Sequence, residues 1–204
     1  MINLGILISG RGSNMEAILQ ATVTGRINNV IPKIVISTNP KAEGLEKAAN
    51  YGVPTKVVSN SAKGWEFDKE IATILNNHLI NSDNGLVCLA GYMRIIGPEF
   101  INLFRMRILN IHPSLLPSFP GLHAQRQALD YGVKVSGCTV HFVDAGIDTG
   151  PIIGQSTVRV EENDSEETLS ERILAREHEL YVDSIKKFAD GRLSVRGRRV
   201  FISP

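Results

Sequence analysis

The chain is predicted to fold as an α/β protein with a central, mostly parallel twisted sheet flanked by helices, and three features predict it. Short, nearly unbroken apolar runs at 2–8, 33–38, 54–58 and 86–90 read as strands buried on both faces. Helix-like stretches at 43–52 and 65–79 alternate with them, the pattern of a doubly wound sheet. The first run ends in Ser9-Gly10-Arg11-Gly12-Ser13-Asn14 and passes directly into a helical pattern through Met15, Ile18 and Leu19.

In the second half, 107–112 (RILNIH) reads as a strand stopped by Pro113. The stretches 135–143 and 152–160 are β-branched and partly alternating, with a Gly-rich loop between them, and read as further strands of the sheet. From Asp164 a long amphipathic helix carries Leu169, Ile173, Leu174, Leu180, Val182 and Ile185 to Asp190-Gly191, with Glu167 at capping-box spacing from Asp164. The tail SVRGRRVFISP reads as a solvated final hairpin. The 2–8 and 107–112 strands are expected to be neighbours, so that their carboxyl ends face one cleft.

The 204 residues carry 22 Lys plus Arg against 21 Asp plus Glu, a formal net charge of +1, so no global field recruits nucleic acid or an anionic membrane. No run of about 18 apolar residues occurs and the start lacks an export signal, which predicts a cytoplasmic protein neither exported nor embedded. Cys88 and Cys138 lie in separate apolar runs without a CxxC partner, against a disulfide framework or a zinc site. No electropositive neighbour would turn either thiol into a nucleophile.

Three segments carry chemistry. Gly10, Gly12, Ser13 and Asn14 put backbone N–H groups and a helix start at a strand end, an anion site in form. The loop has no Walker lysine, and Met15 stands where a dinucleotide fingerprint needs its third glycine, so ATP and NAD are poorly supported. The same residues suit a tight βα turn with Asn14 or Ser13 as N-cap. In Asn110-Ile111-His112-Pro113, residues two apart share a strand face, so an amide and an imidazole point together, as carbonyl chemistry requires. A capped strand end with a satisfied histidine is the alternative. Pro113, Pro117 and Pro120 stiffen the loop that leaves this strand. The loop Asp144-Ala145-Gly146-Ile147-Asp148-Thr149-Gly150-Pro151 lacks the alternating ligands of a calcium site, and its acids are either turn residues or a carboxylate partner for His112. No G-x-S-x-G elbow is present. Glu177-His178, taken alone, reads as a surface pair on the long helix.

The segments Ile6–Asn14, Leu89–Ile95, Leu109–Pro117, Pro120–His123 and Asp148–Pro151, in that order, resemble the phosphoribosylglycinamide formyltransferases over almost the whole chain. Related formyltransferases acting on methionyl-tRNA and formyltetrahydrofolate deformylases share the Asn-x-His and distal Asp set, but carry additional domains for which 204 residues leave no room. The resemblance implies a Rossmann-like formyltransferase fold spanning 1–204 as a single domain, with a phosphate-binding half at about 1–105 and a catalytic and folate-binding half at about 106–204. It implies transfer of a formyl group from 10-formyltetrahydrofolate, as co-substrate, to the amine of glycinamide ribonucleotide in purine biosynthesis, without a metal. A folate hydrolase using the same residues with water as acceptor is the alternative.

Carried onto this chain, the resemblance makes Asn110, His112 and Asp148 the catalytic set, with Asp148 holding His112 in its charged form. Gly12, Ser13 and Asn14 would hold the ribonucleotide phosphate, and Glu177 would meet the glycinamide end. Met93, Arg94, Ile95 and Ile96, with Asn110 and the loop Asp144, Ala145, Gly146, Ile147 and Asp148, would line the folate pocket. Where better-known members have an arginine reaching the folate glutamate tail, this chain reads Lys63-Gly64-Trp65. The implied partners are small-molecule substrates, with no nucleic acid and no membrane, and the chain is expected to be a monomer or weak homodimer.

Overall fold

The apolar N-terminal run becomes β1 (Ile2–Ile8), in which every residue from Leu4 to Ile8 is buried, as a strand covered on both faces must be. The computed structural model describes residues 1–59 and 62–204. These divide into two units, Met1–Asn110 and Ile111–Pro204.

In the first unit β1 pairs in parallel with β2 (Val30–Ser37) on one side and β4 (Gly85–Leu89) on the other. Beyond β2 lies β3 (Thr55–Val57), and beyond β4 lies β5 (Ile108–His112), whose residues 108–110 pair with Val87–Leu89. The order β3-β2-β1-β4-β5 thus inserts β4 between two strands expected to be neighbours. Five consecutive buried residues make β4 as apolar as β1, and such a strand needs a partner on each edge and a cover on each face. The connecting helices are α1 (Ser13–Val23), α2 (Glu43–Asn50), α3 (Trp65–Asn77) and α4 (Pro98–Leu103). The short α4 is not evident in the sequence because Phe100 is the buried residue it offers, too little for a period to show. Its N-terminal Pro98 was the available signal.

In the second unit β6 (Val135–Phe142) and β7 (Ile152–Arg159) form the expected antiparallel pair, with a register shift between Val140 and His141. The helix α5 (Ala124–Tyr131) precedes them and was also unforeseen, since it buries two alanines, Ala124 and Ala128, rather than a large apolar stripe. The long α6 (Glu166–Ala189) packs on β6 and β7. Its capping box forms one residue later than the spacing predicts: the Ser165 hydroxyl accepts from Thr168 N–H, and the Ser165 N–H donates to the Thr168 hydroxyl. Asp164 instead accepts both arms of the Arg172 guanidinium at 2.8 Å, which holds its carboxyl well below the usual carboxylate range. The tail forms the predicted hairpin of β8 (Leu193–Arg196) and β9 (Arg199–Ile202), with β9 joined to β7 at the pair Ile152 and Arg199.

Candidate active site

At the carboxyl end of β1 the chain turns through Gly12, whose φ of 70° is left-handed and which caps α1 in place of the expected Ser13 or Asn14. A side chain is excluded there twice over. The backbone geometry disfavours it, and a Cβ would lie 2.8 Å from the Gly44 Cα of α2. A glycine at the cap offers no side-chain oxygen of its own to the first turn of α1, whose N–H groups point out of the helix start as those of an anion site do. Ser9 ties this turn to the segment after β4: its hydroxyl bonds Thr38 Oγ1 at 2.8 Å and accepts the Met93 N–H at 3.0 Å.

The segment after β4 places the four residues differently. Met93 and Ile95 are 70% and 82% exposed, whereas Ile96 is buried in the core of this unit. Arg94 folds back so that its guanidinium lies 3.6 Å from the centre of the Phe67 ring and donates to the Ala62 carbonyl at 3.1 Å. Buried Asp68 anchors the end of the segment by accepting the Gly97 N–H at 2.7 Å. Asn110 lies on β5, two residues before His112.

In the second unit His112 and Asp148 come together: Nδ1 of His112 lies 3.3 Å from Asp148 Oδ2. A second imidazole, unforeseen from the sequence, flanks the same carboxylate, with His141 Nε2 3.6 Å from Asp148 Oδ1. The sequence signal was a lone histidine between the apolar Val140 and Phe142 of the strand. The register shift beside His141 is the kind of irregularity that re-aims a side chain next to a site. Asp148 adopts a left-handed φ of 52° and accepts the Gly121 N–H at 2.8 Å.

The far nitrogens of both rings also face oxygen. His112 Nε2 lies 2.8 Å from the Phe119 carbonyl and His141 Nδ1 lies 2.8 Å from the Phe142 carbonyl. A carbonyl only accepts, so each of these nitrogens carries a hydrogen. In a neutral His112 ring that leaves Nδ1 bare toward Asp148, and a further proton there completes a bond to the carboxylate. Burial opposes that proton and pushes the His112 pKa below its ordinary value, against the upward pull of Asp148 and the Phe119 carbonyl, while the charge of His141 adds to the lowering. The expectation of a standing imidazolium at His112 is therefore corrected, because desolvation outweighs its partner. For Asp148, burial pushes upward, but hydrogen bonds from His141 and the Gly121 N–H, with the two imidazoles, outweigh it and hold the carboxyl low. The trio is an ionised carboxylate flanked by two imidazoles.

The surrounding loops are braced by more than prolines. Thr139 Oγ1 donates to the Ser114 carbonyl at 2.6 Å and accepts the Leu116 N–H at 3.0 Å, and Gln155 donates to the Leu116 carbonyl at 2.9 Å. Asp144 shapes its own loop, accepting the Gly146 N–H at 3.2 Å and the Thr149 hydroxyl at 2.6 Å, while Ala145, Gly146 and Ile147 are exposed. Glu177 is 7% exposed on the face of α6 turned to the core, which overturns its reading as a surface residue. Burial pushes the Cys138 thiol up to about 12, with the Glu177 charge adding to it, so this cysteine is no nucleophile. Among the described residues no group of three or more His, Cys, Asp or Glu is arranged to hold a metal, and no helix is long and apolar enough to cross a membrane.

Residues 2–185 match the family model described as formyl transferase. The chain is 41% identical over 196 residues to the phosphoribosylglycinamide formyltransferase of Escherichia coli strain K12, covering 95% of this chain and 90% of that protein. It is 42% identical over 191 residues to the trifunctional purine biosynthetic protein adenosine-3 of Chironomus tentans; that match covers 92% of this chain but 14% of the larger protein. The solved glycinamide ribonucleotide transformylase 1 of Symbiobacterium toebii superposes with a TM-score of 0.96 at 50% identity, covering all of this chain and 95% of that one.

Proposed function

The chain belongs to the formyl transferase family, and from that premise we propose that it moves the formyl group of 10-formyltetrahydrofolate to the amine of N1-(5-phospho-D-ribosyl)glycinamide, giving formylglycinamide ribonucleotide and tetrahydrofolate in purine biosynthesis. The observation that carries this reading is the buried contact of His112 with Asp148, on a strand that also presents Asn110.

The amine attacks the formyl carbon, a new C–N bond forms, and the formyl oxygen becomes negative. The Asn110 amide and a ring N–H of His112 donate to that oxygen, the formyl oxygen taking the place that the Phe119 carbonyl holds at Nε2. The attacking nitrogen must lose a proton and the leaving folate nitrogen must gain one. Asp148, directly or through water, helps move that proton from the attacking to the leaving nitrogen, while its contact with His112 steadies the ring that donates to the oxygen. His141 and the Gly121 N–H hold Asp148 in place for this.

The N–H groups at Gly12, Ser13 and Asn14 bind the ribonucleotide phosphate, and Glu177 binds the glycinamide end. Met93, Arg94, Ile95, Ile96, Asn110 and residues 144–148 are the folate-binding residues of this reading, and exposed Met93 and Ile95 suit an apolar contact with the pterin. Two buried cysteines held as thiols suit a reducing cytoplasm, where the enzyme acts as a monomer or weak homodimer. Following the absorbance of 10-formyltetrahydrofolate with and without the ribonucleotide tests the proposal. Loss of formyl that depends on the ribonucleotide is expected. Loss without it assigns a hydrolase, and no loss leaves a binding protein.

A further inference from the structure

We infer that Arg198, at the turn of the C-terminal hairpin, is a positioning residue for Asp148. The inference rests on the catalytic reading of Asp148. The loop between β6 and β7 is fastened in three ways. Asp144 closes it from within, through the Gly146 N–H and the Thr149 hydroxyl. The Asp148 carboxylate is met by the Gly121 N–H at 2.8 Å and by two imidazoles. At the exit, the Arg198 guanidinium donates to the Thr149 carbonyl at 2.7 Å.

That last bond acts on the residue next to Asp148. A left-handed backbone at a non-glycine residue is uncommon and persists where its neighbours hold it. On one side the chain has no slack: a Cβ on Gly150 would lie 1.7 Å from the Phe142 carbonyl, so the backbone there is pressed against β6. Between that fixed glycine and Asp148 lies Thr149 alone, and Arg198 holds the orientation of its carbonyl. One residue further along the hairpin, Arg199 is the partner of Ile152 where β9 joins β7, so the hairpin is fixed to the strand that leaves this loop. If the Thr149 carbonyl is released, Asp148 can relax toward a negative φ and draw its carboxylate away from His112. Among the described residues the imidazoles of His112 from β5 and His141 from β6 face Asp148, and Asp144 stands at the start of the same loop.

The test combines nuclear magnetic resonance titration of the His112 and His141 rings with steady-state kinetics across pH, in Arg198→Ala, Arg198→Lys and Arg196→Ala. Arg196 is the control, since it lies over the Phe201 ring on the same hairpin. Arg198→Ala should lower the His112 titration midpoint and reduce kcat about threefold to tenfold, the range of one hydrogen bond, with the ribonucleotide KM unchanged. Arg198→Lys, which can still donate to a carbonyl, should recover most of both, and Arg196→Ala should match the unaltered protein. The inference is overturned if the Arg198→Ala titrations superimpose on the parent curves, if Arg196→Ala reproduces them, or if Arg198→Lys recovers nothing. The lysine variant decides the matter even should the alanine variant misfold. The ring titrations do not depend on which reaction is catalysed, so an absence of ribonucleotide-dependent turnover sinks the formyl-transfer reading without touching this one.

Discussion

Asp148 does three things with one carboxylate: it accepts a backbone N–H, it faces two imidazoles, and it occupies a left-handed φ. Asp148→Asn keeps the shape and removes the charge, so His112 loses the main influence raising its pKa and becomes harder still to protonate. With about 3–4 kcal/mol of organised electrostatics at stake, kcat should fall about 10²- to 10³-fold, while ribonucleotide affinity, supported by the glycine turn, should change little. Asp144→Asn should be much milder, because its partners lie within its own loop. Near-parental kcat in Asp148→Asn, or an equal loss in Asp144→Asn, would return Asp148 to a turn residue. The linkage has a definite sign. With its folded pKa below the unfolded one, His112 destabilises the fold progressively as pH drops below about 6.5, since the unfolded chain takes the proton first. Asn110 and His112 were visible from residue type and spacing, whereas Asp148, which alone reads as a turn residue, was singled out only by the family resemblance. His141, the Phe119 carbonyl and the Gly121 N–H were not visible, because backbone partners have no residue signature and the approach of His141 depends on a local shift of strand register.

The glycine turn shows how an element can be legible in kind and wrong in detail. A strand, a glycine pair and a helix were evident from the pattern. That Gly12 rather than a hydroxyl residue caps α1 follows from the approach of α2, a contact between segments some thirty positions apart that no local rule contains. Gly12 is thus structural, whatever it binds. Gly12→Ala should cost about 2–4 kcal/mol, combining a left-handed β-carbon with overpacking against Gly44. Urea denaturation measures it, and a loss below about 0.5 kcal/mol would mean that α2 yields freely. A bulkier residue at this position therefore cannot isolate phosphate binding through KM alone. At α6 the long apolar stripe fixed the helix, but Asp164, Ser165, Glu167 and Thr168 offered two overlapping caps, and the Arg172 clamp on Asp164 left the box to Ser165 and Thr168. The hairpin of β8 and β9 was readable because its turn chemistry, Gly197 at a φ of 61°, is local.

Across the molecule, alternation of apolar runs and helical stretches was enough to read a mostly parallel sheet, whereas strand order was beyond it, since β4 and β5 come one after the other whichever of them β1 adopts as neighbour. The burial that makes β6 a core strand has a consequence for the whole fold at alkaline pH. The Cys138 thiol is fully buried and pushed from 9.0 up to about 12, and burial likewise raises the Tyr92 hydroxyl. Above the ordinary thiol value the unfolded chain releases a proton that the folded chain retains, so the unfolded state binds fewer protons and stability must fall as pH rises. One such group gives a slope of about −1.4 kcal/mol per pH unit between about 9 and 12, with the phenol adding to it above about 10. Cys138→Ala removes the thiol's share. The variant should lose some stability at pH 7 through the small cavity left in β6, yet its stability should decline less steeply than the parent's between pH 9 and 10, by close to that slope. Urea titrations of both proteins at half-unit intervals give the comparison directly. Parallel curves would mean that the thiol titrates alike folded and unfolded, and that the site beside Glu177 admits enough water to solvate a thiolate.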